Sequence, residues 1–141
     1  MNIWGFDVLL TRRLFGWNVV NMAAGVVLAR NADALWRGIG SQAVGWSVIN
    51  FIIAIFGGSA TQKRSLKPDA FNPETLAKES RNLRRLLWIN AGLDVGYMVG
   101  GWWYAGREVA RPFRRGMGVG IIIQGALLLV FDVIHALQVP E

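Results

Sequence analysis

A chain of 141 residues with 53% hydrophobic residues and a formal net charge of +6 is too apolar for an ordinary soluble domain of this size. The absence of cysteine excludes a disulfide framework, a thiolate metal site and a cysteine nucleophile. Nucleic acid is not an expected partner, because the basic residues lie in short blocks beside apolar stretches. Basic residues in such positions meet the anionic headgroups of a lipid bilayer.

The first residues predict a short helix lying in the membrane interface, because apolar side chains recur there with little polarity. They are Ile3, Trp4, Phe6, Leu9 and Leu10. The following Arg12 and Arg13 allow an alternative, an export signal of the twin-arginine type. The apolar stretch after them contains Asn18 and Asn21, which favours an arginine anchor at the start of a membrane span.

Four apolar stretches dominate the chain, at residues 14–29, 38–58, 86–104 and 117–139. Each is close to the length of about 20 residues with which an α-helix crosses a bilayer. They predict an all-α fold, a four-transmembrane-helix bundle that forms one membrane domain over residues 1–141. Residues 59–85 form a polar linker, in which Asn72 and Pro73 predict the start of a helix that continues into the third span.

The distribution of basic residues predicts the orientation of the bundle. Nine of the fifteen lysines and arginines lie on the side of the termini and the linker, and six lie on the other side. Because cytoplasmic segments carry the excess of positive charge, both termini and the linker are expected in the cytoplasm. The expected location is the inner membrane.

The two halves of the sequence share a spacing. The second span contains Gly38, Gln42 and Asn50. The fourth span contains a glycine, a glutamine and an acid at the same spacing, which are Gly120, Gln124 and Asp132. In the same alignment Asn21 falls opposite Asp94. The pattern indicates two related helical hairpins in a parallel repeat, with an axis normal to the membrane.

Polar side chains occur within all four apolar stretches, where they are expected to face one another because polar groups in lipid are costly. The candidates for a ligand or ion site are Asp94, Asp132, His135, Asn21, Asn50, Asn90, Tyr97 and Gln124. For the amides, interhelical hydrogen bonds that fix the bundle are a sufficient role. The two acids need a proton, a cation or a shared proton in hydrocarbon, so Asp94, Asp132 and His135 indicate a proton or cation site.

Metal binding and catalysis are not expected. One histidine without cysteine supplies too few ligands for a metal site of three or four protein groups. The few serines do not match His135 in depth, so no Ser–His–acid constellation is predicted and the chain is not expected to be an enzyme. No cofactor is indicated.

Glycines recur every fourth residue along the third span, at Gly92, Gly96 and Gly100. Such small residues let another helix backbone approach closely. The partner helix is expected from a neighbouring span or from another subunit, in a homo-oligomer or with other membrane proteins.

Three phrases of the sequence carry a family resemblance: residues 36–40, residues 46–50, and Gln124 through Asp132 to His135. They resemble an uncharacterised bacterial family of small four-span integral membrane proteins, which has no established activity. Two hypotheses of function follow from the residues. The bundle binds or translocates a small ion, proton or solute, or it is a non-catalytic accessory or scaffold subunit of a membrane complex.

Overall fold

The computed structural model describes residues 1–141 and consists of four helices without a strand. They are α1 (Ile3–Ala29), α2 (Ala34–Ser65), α3 (Pro73–Arg107) and α4 (Pro112–Gln138). Helix α1 packs along α2, α3 packs along α4, and α2 packs against α4 between these two hairpins. Helices α2 and α3 scarcely contact each other. The predicted all-α fold is confirmed.

The helix starts follow from local sequence. Asn2 and Asp33 precede α1 and α2, and their side chains accept hydrogen bonds from the backbone N–H groups of Gly5 and Leu35, at 3.0 and 2.8 Å. Helix α3 begins with a proline, whose missing N–H costs nothing in the first turn. The predicted start at Asn72 is confirmed, although the Asn72 side chain makes no capping hydrogen bond.

The prediction of a separate interfacial helix at the N-terminus was wrong, because residues 3–10 are the first turns of the continuous helix α1. Their apolar side chains have partners inside the fold. Ile3, Trp4, Phe6 and Leu10 are buried in one cluster with Ala70, Leu87, Ala136 and Val139. Trp4 Nε1 donates to the carbonyl of Ala70 at 3.0 Å, which ties the 66–72 connection to α1.

The interior of the bundle contains many polar side chains at mid-length, and much of its outer surface is apolar. Many of the largest aliphatic and aromatic side chains of α2 and α3 are exposed, including Ile52, Ile55, Phe56, Val99 and Trp102. The buried side chains at mid-length include Asn18, Asn21, Ser47, Asn50, Asp94 and Gln124. Two of the helices, α2 and α4, are long and apolar enough to cross a membrane.

The two hairpins make matching backbone contacts through glycine. A Cβ atom on Gly38 would collide with the carbonyl oxygen of Phe113, and one on Gly116 would collide with that of Leu35. Leu35 and Phe113 each lie three residues before the glycine of their own helix, so the contact between α2 and α4 is reciprocal. Any side chain at either glycine would push the two helices apart.

The contacts inside each hairpin match in the same way. In the first hairpin Gly40 lies against the Ala29 amide and the Gly25 carbonyl. In the second hairpin Gly118 lies against the amide of Ala105 and the carbonyl of Gly101. A Cβ atom on Gly118 would lie 2.8 Å from that carbonyl oxygen. The glycine contacts of the two hairpins thus correspond when Gly38 is aligned with Gly116 and Gly25 with Gly101.

This alignment corrects the predicted register of the repeat. Gly38 corresponds to Gly116 and not to Gly120, and Asp94 corresponds to Asn18 and not to Asn21. The sequence carries the correct signal as well. Residues 16–29 and 92–105 share Gly, Val, Met, Gly and Ala at five identical spacings, and Arg-Gly-x-Gly occurs at 37–40 and at 115–118.

Candidate functional site

Two of the predicted candidates, Asn21 and Gln124, form a reciprocal amide pair between α1 and α4. Gln124 Nε2 donates to Asn21 Oδ1 at 3.1 Å, and Asn21 Nδ2 donates to Gln124 Oε1 at 2.8 Å. Asn21 Nδ2 also lies 3.0 Å from the hydroxyl of Ser47 and 3.3 Å from the carbonyl of Ala43, both on α2. The pair therefore joins three helices and is fully engaged in holding them together.

The carboxyl groups of Asp94 on α3 and Asp132 on α4 come together and are within hydrogen-bonding reach of each other. Only 3% of Asp94 and 8% of Asp132 is exposed. No basic side chain forms an ion pair with either of them, since the ion pairs of the structure involve Asp7, Glu79 and Glu108. Two carboxyl oxygens can form a hydrogen bond only when one carries a proton, so this geometry fits a pair that shares one.

The pair borders a cleft of about 250 Å³ that is lined by residues of all four helices. It lies between α2 and α3, whose backbones approach each other at few positions. Ile49, Ile53, Leu86 and Leu93 border it and are each about half exposed, so the cleft opens on the side of the bundle. Its other lining residues include the candidates Asn50, Asn90 and Tyr97.

Two buried polar atoms at this cleft have no hydrogen-bonding partner within the chain. Nδ2 of Asn50 has no acceptor, and no N–H or hydroxyl group donates to Oδ2 of Asp94. Asn50 is only 5% exposed. Because a buried polar group without a partner is costly, such atoms in a cleft indicate the position of a bound molecule or of ordered water.

The corrected repeat shows that the two sides of the bundle differ chemically. The hydrogen-bonded Asn21 and Gln124 correspond to Tyr97 and Trp46, whose rings meet edge to face at 4.9 Å between α3 and α2. Asp132 corresponds to Ala54, and no acid occupies the position equivalent to Asp94. The first side is joined by matched amides, whereas the second carries the carboxyl pair and the cleft.

His135 does not line the cleft on which the two acids lie. Its Nδ1 is 2.7 Å from the carbonyl oxygen of Phe131, which can only accept, so Nδ1 carries the hydrogen. Nε2 then accepts from Arg13 Nη1 at 3.3 Å, and the rings of Phe6 and Phe131 pack beside the imidazole. The structure gives His135 a role in joining α4 to α1, and the carboxyl pair forms without it.

A polar cluster that was not predicted from the sequence lies at the linker end of the cleft. Asp7 accepts a hydrogen bond from the buried Thr61 hydroxyl and lies 3.9 Å from Arg64, whose Nε is 3.3 Å from Glu79. A second space of about 350 Å³ lies beside this cluster and shares Asp7 with the cleft. Asp7 lay outside the apolar stretches, so its helical position was the only signal that could have placed it there.

The predicted glycine interface has no partner within the chain. Gly92, Gly96 and Gly100 are exposed on α3, and a Cβ on any of them would meet no atom within 4 Å. Packing of this face against another subunit stays a prediction. The glycines that do pack closely are those of the hairpin contacts. No group of three or more His, Cys, Asp or Glu side chains is arranged to hold a metal ion.

Comparison with known proteins agrees with the resemblance to an uncharacterised family. Neither the curated proteins nor the solved structures include a match to this chain. Residues 13–133 match a protein family described as a family of unknown function, DUF6992. The match includes both acids of the carboxyl pair, Asp94 and Asp132, and covers all but the first turns of α1 and the end of α4. The chain therefore belongs to the family of unknown function DUF6992.

Proposed function

We propose that the chain is a four-span protein of the inner membrane, with both termini and residues 59–85 in the cytoplasm. The polar interior and apolar exterior support this, because such a distribution is stable in lipid and not in water. The nine-to-six distribution of basic residues supports the orientation. Lys67→Cys and Glu108→Cys should label from opposite sides of the membrane, and equal labelling from one side would contradict the orientation.

Within that bundle the cleft binds a small ion or solute beside Asp94 and Asp132, which share one proton. One observation carries this proposal: two buried carboxyls within hydrogen-bonding reach, without a basic partner, border an open cleft. A structural role alone would be served by amides, as it is on the opposite side of the bundle.

Infrared spectroscopy of the protein in lipid nanodiscs tests the shared proton. The wild type should show the C=O stretching band of a protonated carboxylic acid at neutral pH, shifted by exchange into D₂O. The double variant Asp94→Asn with Asp132→Asn should remove the band, because it leaves neither carboxyl of the pair to hold the proton. The matched control Asp69→Asn changes an exposed acid of the 66–72 connection and should leave it. A wild-type spectrum without this band would contradict the proposal.

A scaffold or accessory subunit is the second candidate function. It is favoured by the Asn21–Gln124 pair, which satisfies its hydrogen bonds within the chain and leaves nothing for a ligand. Under this function Asp94→Asn and Asp132→Asn would be silent in any binding measurement. They would also stabilise the bundle, because a neutral amide costs less in lipid than an acid.

A further inference from the structure

We infer that the cleft takes a monovalent organic cation, a protonated amine attached to an apolar body, which enters from the side of the bundle between α2 and α3. This inference rests on the proposed function and names the class of solute. Charge, the nature of the walls, and the unpartnered oxygen of Asp94 beside an aromatic pair support it.

The charge of the cleft is negative and is compensated only in part. The lining includes three acids, Asp7, Asp94 and Asp132, and no lysine, arginine or histidine. Asp7 is matched by Arg64 at 3.9 Å, whereas the carboxyl pair has no cation beside it. A pair that retains one proton carries a single negative charge. One positive charge neutralises it, so a monovalent ligand fits and an anion is repelled.

The walls of the cleft are apolar over most of their extent. Thirteen of the twenty lining residues are hydrophobic, and the polar groups are confined to a few positions. A bare metal ion would leave these walls without contact, and three or more acidic or imidazole ligands do not converge here. A small organic molecule, in contrast, gains free energy by burying an alkyl or aryl body against Leu87, Leu93 and Leu128.

The unpartnered oxygen of Asp94 and two aromatic rings favour a cationic head group on the ligand. Oδ2 of Asp94 receives no hydrogen bond from an N–H or hydroxyl group, and an ammonium N–H supplies one as a charge-assisted hydrogen bond. The edge-to-face pair of Trp46 and Tyr97 lines the same cleft, and aromatic rings attract cations. A protonated amine satisfies both features, whereas an alcohol satisfies only the first and does so without charge.

The opening on the side of the bundle determines how such a molecule arrives. Ile49 and Ile53 of α2 face Leu86 and Leu93 of α3 across the cleft, and all four are half exposed. These residues lie in the predicted spans, so the opening faces the hydrocarbon of the bilayer. An amphipathic amine concentrated in the membrane reaches the carboxyl pair along this route without crossing water.

Three probes with the same alkyl chain and different heads test the class of ligand: octylamine, octanol and octanoate. Binding to the wild type in nanodiscs is measured by calorimetry, with empty nanodiscs subtracted. Octylamine should bind at least about tenfold more tightly than octanol, which corresponds to about 1.4 kcal/mol and to one hydrogen bond with a charged partner. Octanoate should not bind above the background. Equal binding of the three, or a preference for octanol or octanoate, would overturn the inference.

Substitutions of the two acids test whether the preference for octylamine depends on the carboxyl pair. The double variant Asp94→Asn with Asp132→Asn removes the negative charge of the pair, so it should reduce the preference for octylamine over octanol to about twofold or less, while the exposed Asp69→Asn keeps it. Circular dichroism checks that each variant is folded, and the comparison of probes on the wild type stands if one is not. A preference that survives the double variant would contradict a site at the carboxyl pair.

The shared proton and the amine site can each be rejected without rejecting the other. A shared-proton infrared band without a preference for octylamine would retain the proposed function and reject the amine. A preference for octylamine without the band would retain an amine site on ionised carboxylates and reject the shared proton.

Discussion

Gly38→Ala and Gly116→Ala should each destabilise the bundle strongly and to a similar extent. In both variants the new Cβ would occupy the position of a backbone carbonyl oxygen on the facing helix, that of Phe113 or that of Leu35. Backbone cannot move aside as a side chain can, so α2 and α4 must separate. We expect a loss of about 3 kcal/mol, at the upper end of what overpacking costs, or a failure to fold. The measurement is the unfolding midpoint in mild detergent.

Gly96→Ala is the matched control for these two substitutions. Gly96 also lies within a helix, but a Cβ there meets no atom within 4 Å. Alanine should therefore be neutral or stabilise by up to about 1 kcal/mol, through its higher helix propensity. If Gly96→Ala were as damaging as Gly38→Ala, the exposed face of α3 would be packed in the native assembly. Unequal losses at Gly38 and Gly116 would contradict the reciprocal contact between the hairpins.

Asn21→Leu should give the second large effect, a loss of about 1 to 2 kcal/mol in the free energy of unfolding. The substitution removes both hydrogen bonds to Gln124 and the contact with Ser47. The Gln124 amide then stays buried without a partner, which is costlier than the loss of a hydrogen bond alone. The unfolding free energy of the purified variant in detergent measures this loss.

The double variant Asn21→Leu with Gln124→Leu separates pairing from packing. Removing both partners leaves no unpaired amide, so it should cost less than the sum of the two single substitutions. Asn90→Leu is a suitable control, because Asn90 lines the cleft and makes no hydrogen bond within the chain. Additive losses in the double variant would contradict the interpretation of Asn21 and Gln124 as a structural pair.

Much of the fold could be predicted from the sequence, because it depends on local patterns. Long apolar stretches and capping residues determined the four helices, including the start of α3 at Pro73. Amides and acids within apolar helices must turn inward, so Asn21, Asn50, Asp94 and Gln124 could be placed in the interior. Which of these residues meet depends on helix rotation and on the distances between helices, and neither is encoded locally.

Three predictions failed or stayed incomplete because they depended on which side chains and helices meet in space. The apolar residues at 3–10 have the composition of an interfacial helix, yet the helix ends and the 66–72 connection offer them a buried cluster. His135 follows Asp132 by three residues, but it turns toward Arg13 of α1 and away from the acids. The repeat was aligned by glutamine and asparagine, although close backbone contact at Gly38 and Gly116 determines the packing.

The cleft at Asn50 should admit small cations, and the interior beside it should be closed to them. The chain contains no cysteine, so Asn50→Cys and Ser47→Cys each introduce a single thiol. Ser47 is fully buried one turn away on the same helix and serves as the control. In nanodiscs each variant is treated with a trimethylammonium or a sulfonate methanethiosulfonate reagent, with and without octylamine.

We predict that Asn50→Cys prefers the cationic reagent over the anionic one at least about tenfold more than a free thiol in solution does, as expected for a negatively charged cleft. Octylamine should slow this reaction, and Ser47→Cys should react with neither reagent. An unreactive Asn50→Cys, or equal rates with both charges, would contradict the account.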